Sequence, residues 1–272
     1  MKLGFIGGGN MAAAMIGGLR QRSGADAHIL VVERDAGRRG LLERDFEVRT
    51  QETIDTQLQD AEIVVFAVKP NDMRAVCESV CASVHPLTSG ALMLSIAAGI
   101  PSESIARWCG TDAVVRAMPN TPALIGQGLT GLYARAGVTD AQRALATRAL
   151  AVLGDAFWMT DESQLDVVTA ISGSGPAYVF YFIEALQQAA CQMGMEAGQA
   201  RHFAVQTFVG AAQLAARSTE PISQLRERVT SKGGTTAAAL ARMQEAKVAE
   251  AIIAAAHAAL ARSREMAKTL GS

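Results

Sequence analysis

The segment Ile6-Gly7-Gly8-Gly9-Asn10-Met11-Ala12 constrains the fold more than any other part of the chain. An apolar run at residues 2–6 leads into it, and a helical pattern at 10–20 leads out. In the spacing Gly7-x-Gly9-x-x-Ala12, the first glycine permits a tight turn and the second lets a ligand approach the backbone. Ala12 is small enough for the helix to lie on the sheet. Unpaired N–H groups at such a helix start, aided by the helix dipole, attract phosphate. A second apolar run, at 28–32, follows after about the twenty residues of a βαβ dinucleotide unit. Gly7, Gly8 and Gly9 are therefore expected to bind a nicotinamide dinucleotide that serves redox chemistry on a small molecule.

The rest of the first half keeps the same rhythm. Residues 2–6, 28–32, 63–68, 91–96 and 112–116 read as strands rich in Val, Ile and Leu, and 10–20, 36–44, 71–84 and 102–108 fit helices. Apolar strands alternating with helices indicate a parallel sheet covered on both faces. Two further strands, 129–133 and 156–159, flank a helix at 140–153. Near Asp161 the pattern turns helical, with helices predicted from Gly175-Pro176 to about residue 193 and over 196–218, 221–228 and 244–268. The expected fold is an N-terminal α/β Rossmann-like doubly wound sheet (1–160), followed by an all-α domain (161–272). A helical domain of that size is marginal alone. Pairing with a second subunit would bury more apolar surface, so an obligate dimer or a larger assembly is expected.

Charge and composition exclude several classes. Of 272 residues, 25 are Lys or Arg and 26 Asp or Glu, a formal net charge of −1. That balance provides no general field for nucleic acid or an anionic membrane. No uninterrupted apolar run is long enough to span a bilayer, and the first residues lack a secretory signal, so a cytoplasmic protein is expected. Cys77, Cys81, Cys109 and Cys191 have neither disulfide-framework nor zinc spacing; they read as buried structural thiols, and no metal is expected. The histidines, His28, His85, His202 and His257, lack the setting of a base that takes a proton from an alcohol, and read as structural. A hydride acceptor that is already an iminium ion needs no such base.

The end of the second strand bears on the choice of cofactor. Glu33 stands where a carboxylate accepts a hydrogen bond from the ribose 2′-hydroxyl of NADH, whereas Arg34, Arg38 and Arg39 could hold the 2′-phosphate of NADPH. The arginines tip the reading to NADPH, with NADH kept open. Three more segments fall at carboxyl ends of strands, where ligands bind in doubly wound sheets. They are Ala67-Val68-Lys69-Pro70, Ser95-Ile96-Ala97-Ala98-Gly99, and Met118-Pro119-Asn120-Thr121-Pro122, whose prolines present Asn120 and Thr121. In the second half, Thr230-Ser231-Lys232-Gly233-Gly234-Thr235-Thr236 has the makings of a carboxylate cradle of converging N–H groups and hydroxyls; taken alone it reads slightly better as a helix cap with a flexible preceding turn. Ile171-Ser172-Gly173-Ser174-Gly175-Pro176-Ala177-Tyr178 marks close backbone packing or substrate contact.

These motifs, in this order and over nearly the whole chain, resemble pyrroline-5-carboxylate reductase. The resemblance implies reduction of 1-pyrroline-5-carboxylate, a cyclic imino acid, to L-proline with NADPH or NADH, the last step of proline synthesis. It implies a helical domain that interlocks with a second subunit, often within a ring of dimers. Carried over by motif, Ile6, Gly7, Gly8, Gly9, Asn10 and Met11 would hold the pyrophosphate. Arg34, Ala67, Val68, Lys69, Pro70, Ala97, Ala98 and Asn120 would complete the cofactor site. Ser231, Gly233, Gly234, Thr235 and Thr236 would bind substrate, Thr236 as the catalytic hydrogen-bond partner of the ring nitrogen, with Glu162 a further substrate contact. Lys232 departs from the proline usual in the family, and Glu33 from a small polar residue. Two rivals are a β-hydroxyacid or general imine reductase of the same two-domain build, Lys232 being the only nearby acid/base candidate for the hydroxyacid chemistry, and a non-catalytic dinucleotide sensor.

Overall fold

The computed structural model describes residues 1–23, 26–84 and 90–271. Among these, the strands are β1 (Lys2–Ile6), β2 (His28–Val32), β3 (Arg49–Gln51), β4 (Ile63–Phe66), β5 (Leu92–Ser95), β6 (Val114–Met118), β7 (Gly128–Ala134) and β8 (Gly154–Trp158). They form one sheet in the order β3-β2-β1-β4-β5-β6-β7-β8. Pairings from β3 across to β6 are parallel, as the alternating pattern predicts. β7 instead runs antiparallel to β6, and β8 parallel to β7. The β6–β7 connection, a short 3-10 turn at Thr121–Ile125, is shorter than a parallel crossover requires. β3 escapes the sequence reading because its three residues, Arg49, Thr50 and Gln51, are polar.

The first-half helices are α1 (Asn10–Ser23), α2 (Ala36–Phe46), α3 (Met73–Ser83), α4 (Ser102–Cys109) and α5 (Asp140–Leu150). Side-chain alternation sends Leu3, Phe5, Ile63 and Val65 to one face of the sheet, under Met15, Ile16 and Leu19 of α1 and Leu150 of α5. Ile6, Val64 and Phe66 go to the other face, under Met73, Val76 and Val80 of α3 and Ile105 of α4. Each such side chain, fully buried, contributes about 1.5–3 kcal/mol relative to exposure. The two cores fix where the strands end, and hence where the glycine turn sits.

Beyond β8 the chain is helical: α6 (Gln164–Val168), a π-helical turn at Thr169–Gly173, α7 (Gly175–Gln192), α8 (Ala197–Arg217), α9 (Ile222–Arg228), α10 (Thr235–Glu245) and α11 (Val248–Leu270). The C-terminal helix predicted over 244–268 is α11, and α10 precedes it as a further helix. Lys247 adopts a left-handed backbone (φ 53°), which ends α10 before α11 begins. α10 has no clear apolar stripe in its Thr-Thr-Ala-Ala-Ala start, so periodicity alone does not reveal it.

The chain divides into two compact units, Met1–Ser174 with Ala259–Ser272, and Gly175–Ala258. The first therefore runs past residue 160 and takes in the end of α11, where Leu270 packs on the second core cluster. The second unit is poor in core. Among its described residues only Ala200 and Ala204 are buried, while Phe180, Tyr181, Phe203 and Leu214 are 61–71 % exposed. Such a unit has too little buried apolar surface to stand by itself. Among the described residues no helix is long and apolar enough to cross a membrane.

Candidate functional site

Gly7 leaves β1 with φ +95°, and a Cβ there would lie 2.7 Å from the carbonyl oxygen of Ala67. Only glycine suits that turn. Gly8 is less confined, since a Cβ there would meet only the end of the Leu42 side chain, Cδ1, at 2.5 Å. Gly9 is the opposite case: a Cβ there would meet nothing within 4 Å, so its backbone faces open space. α1 starts directly after it, and Ala12 is fully buried beneath the helix, as the motif requires. The residues thus fit a pyrophosphate, with an open face at Gly9 and the unpaired N–H groups of a helix start beside it.

The neighbouring strand ends line up with this turn. Ala67 N–H donates to Ile6 O at 2.8 Å, and Ile96 N–H to Phe66 O at 3.1 Å, which extends the ladder to the tips of β1, β4 and β5. Val68 and Pro70 are half-buried and Lys69 is exposed. Pro70 opens a 3-10 turn. Ala98 is half-buried, but Ala97 is 5 % exposed and belongs to the core beneath the loop. Gly99 (φ +73°) lies against Met266 of α11, with 3.0 Å left for a Cβ.

At the end of β2, Glu33 accepts from the Gly8 N–H at 2.8 Å and from the Asp35 N–H at 2.9 Å. Arg38 lies over the glycine turn, donating to Gly8 O at 2.6 Å and to Asn10 Oδ1 at 2.9 Å. Arg39 is held by Glu33 O, Arg34 O and the Glu52 carboxylate. Arg34 is exposed.

Two predicted ligand contacts are occupied by the chain itself. Asn120 accepts from Leu129 N–H at 2.8 Å and donates to Ser172 Oγ and O at 3.1 and 3.3 Å, which latches the β6 loop to the π-helical turn. Gly173 lies beside that contact, where a Cβ would meet the flexible end of Met118, Cε, at 2.6 Å. Glu162 accepts from Ser102 N–H at 2.7 Å, from Ser102 Oγ at 2.6 Å and from Arg116 Nη1 at 3.0 Å. Arg116, on β6, is 3 % exposed. Its Nη2 lies 3.9 Å from Asp166, which accepts from Ser263 Oγ of α11 at 2.8 Å. Next to Glu162, the Asp161 carboxyl is held below its usual range by the Ser163 hydroxyl and N–H. The one sequence signal for this network is Arg116 itself, a charge inside the apolar run Val114-Val115-Arg116-Ala117-Met118.

In the second unit, Gly233 takes the left-handed backbone (φ +71°) and Gly234 N–H closes back on Ser231 O at 3.0 Å. Gly234 is the N-cap of α10, and no side chain caps that helix. The loop is thus a helix start, as the cap reading has it, with the cap supplied by a glycine backbone and not by a side chain. The first N–H groups of α10 have no side-chain cap, and the helix opens with the two hydroxyl residues Thr235 and Thr236.

The remaining polar candidates lie elsewhere. Cys77 and Cys109 are buried as expected, and the Cys109 thiol sits against Cys77, a contact that with burial holds it far above the ordinary thiol range. Cys191 is exposed, contrary to the buried reading, because α7 contributes no buried residue. His28, His202 and His257 are exposed, and His85 lies outside the described residues.

Comparison with known proteins agrees with this geometry. Residues 162–266 match the family described as pyrroline-5-carboxylate reductase dimerisation, and residues 2–99 match NADP oxidoreductase coenzyme F420-dependent. The pyrroline-5-carboxylate reductase of Pseudomonas aeruginosa is 42 % identical over 271 residues, covering 99 % of this chain and 98 % of that protein. The solved pyrroline-5-carboxylate reductase of Coxiella burnetii superposes with a TM-score of 0.88 at 36 % identity, covering 97 % of each chain. A Plasmodium falciparum pyrroline carboxylate reductase with NADP bound superposes at 0.86, with 26 % identity and 98 % of each chain covered. With a relative this similar over its whole length, the chain belongs to the pyrroline-5-carboxylate reductase family.

Proposed function

We propose that the chain reduces 1-pyrroline-5-carboxylate to L-proline with NAD(P)H, the final step of proline biosynthesis. The observation that carries this reading is the uncapped start of α10 behind Gly233 and Gly234, in a chain that aligns end to end with reductases of that name. The bound nicotinamide supplies the hydride, which goes to the carbon of the C=N bond. The chain's own residues do the rest. Ile6 through Met11 hold the pyrophosphate on the N-terminus of α1, and Val68, Lys69, Pro70 and Ala98 border the nicotinamide side. Ser231, Gly233, Gly234 and Thr235 receive the substrate carboxylate at the start of α10, where N–H groups and the helix dipole favour an anion. The Thr236 hydroxyl pairs with the ring nitrogen and orients the imine. The protonated imine already carries the positive charge that makes its carbon electrophilic, so no general base is required.

Two roles differ from those the resemblance implies. Glu162 is assigned to holding α4 on β6, since both its oxygens accept bonds from Ser102 and Arg116. Asn120 is assigned to latching the β6 loop rather than touching cofactor. The functional division is 1–160 for the dinucleotide and 161–272 for substrate and dimerisation. Oligomerisation follows from the match to the dimerisation family. We assign a homodimer as the unit, working in the cytoplasm with neither nucleic acid nor membrane as partner. The test is direct: purified protein should oxidise NADPH or NADH, followed by nicotinamide absorbance, only when pyrroline-5-carboxylate is added. No turnover with either cofactor sinks the proposal.

A further inference from the structure

We propose that Glu33 sets the cofactor preference of this chain in favour of NADH over NADPH, a proposal that rests on the dinucleotide-dependent reading above. Glu33 follows β2 directly, and its N–H donates to Gln51 O at 2.9 Å, so the β2–β3 ladder fixes its backbone. Its carboxylate is tethered from two sides, by the Gly8 N–H at 2.8 Å and the Asp35 N–H at 2.9 Å. Swinging it away would leave both donors unpaired. The carboxylate is therefore a prepositioned part of the glycine turn.

Such an acceptor at the tip of the second strand suits an adenosine ribose with a free 2′-hydroxyl, which donates to it. A 2′-phosphate in the same place brings a second anion and no donor, and is repelled. Three nearby arginines argue for the phosphate by composition, but the fold commits two of them. Arg38 is held through Nε on Gly8 O and Nη2 on Asn10 Oδ1, so moving it outward to a 2′-phosphate would break bonds that brace the pyrophosphate turn, although among the described residues its Nη1 keeps free donors. Arg39 is bound to two carbonyls on the β2 tip and ion-paired with Glu52 at 3.3 Å. Arg34 is exposed and, among the described residues, its guanidinium makes no hydrogen bond or ion pair. It is the counterweight to Glu33, and a solvated flexible cation attracts only modestly. Asp35 adds a second negative charge at this tip, one of its oxygens capping α2 by accepting from Arg38 N–H at 2.6 Å.

Binding of NADH and of NADPH to the purified protein without substrate, followed by nicotinamide fluorescence, reads the preference independently of turnover. NADH should bind about ten- to a hundredfold more tightly, the scale of repulsion between close, partly solvated anions. Glu33→Gln should tighten NADPH by about the same factor and weaken NADH about tenfold, through loss of a charge-assisted hydrogen bond. Glutamine keeps an oxygen for the Gly8 N–H and gives up the bond to the Asp35 N–H. Arg34→Ala should weaken NADPH about three- to tenfold while leaving NADH unchanged. NADPH binding as tightly as NADH to the unaltered protein, or an unchanged ratio in Glu33→Gln, overturns the proposal while leaving the reductase reading intact. Failure to bind either dinucleotide overturns both.

Discussion

Replacing Glu162 by alanine separates a packing role from a substrate role, and the structure sets the size of the effect. Arg116 has a side chain only 4 % exposed and Glu162 one 23 % exposed, with 3.0 Å between Nη1 and Oε1. Removal of the carboxylate leaves the guanidinium with Asp166 at 3.9 Å as its remaining counter-charge. Arg116 Nη2 already has no hydrogen-bond partner, so Asp166 cannot make up the loss without moving. Ser102, at the start of α4, loses the acceptor of both its N–H and its hydroxyl. Breaking one side of a buried pair costs roughly 3–5 kcal/mol. Water reaching the partly open Glu162 side, together with Asp166, lowers the expected loss to about 2–4 kcal/mol. Urea unfolding at fixed protomer concentration measures it, because stability of an oligomer depends on that concentration. Glu162→Gln, which keeps an acceptor for Ser102 but not the charge, should fall between alanine and the unaltered protein. If Glu162→Ala changes stability by less than about 0.5 kcal/mol while KM for pyrroline-5-carboxylate rises, the packing argument is refuted and Glu162 belongs to the substrate.

Two further substitutions probe the ends of the proposed reaction path. Thr236→Ala should lower the rate with pyrroline-5-carboxylate by on the order of ten- to a thousandfold, since one orienting hydrogen bond is lost; steady-state kinetics showing an unchanged rate would remove Thr236 from the mechanism. Gly7→Ala places a Cβ 2.7 Å from a backbone carbonyl at φ +95°, so it should cost about 1–3 kcal/mol and abolish measurable dinucleotide binding. A variant with normal thermal stability and normal NADH affinity would show that the turn is less constrained than its geometry implies.

Most of the sheet and the dinucleotide turn could be read from the chain because their determinants are local. Val, Ile and Leu runs at regular intervals specify strands, and the Gly7-x-Gly9-x-x-Ala12 spacing is a short-range steric requirement. The start of α10 was equally legible as a glycine-rich segment, but whether a side chain capped it was not. That depends on a side chain being absent from the cap, as Gly234 shows.

What the sequence could not decide is which polar side chains remain available to a ligand. Glu162, Asn120 and Arg38 carry groups suited to binding, and each is engaged by a partner distant in sequence. Asn120 meets Ser172 and Glu162 meets Ser102 only because the sheet brings their segments together. A carboxylate or guanidinium is identified by residue type, but its availability is set by which donors and acceptors the tertiary fold places within about 3 Å. So the residues alone determined a Rossmann-like chain with a dinucleotide turn and a glycine-rich loop. The folded arrangement decided that Glu33 is tethered to that turn, because pairing of β1 with β2 carries the Glu33 carboxylate to the Gly8 N–H.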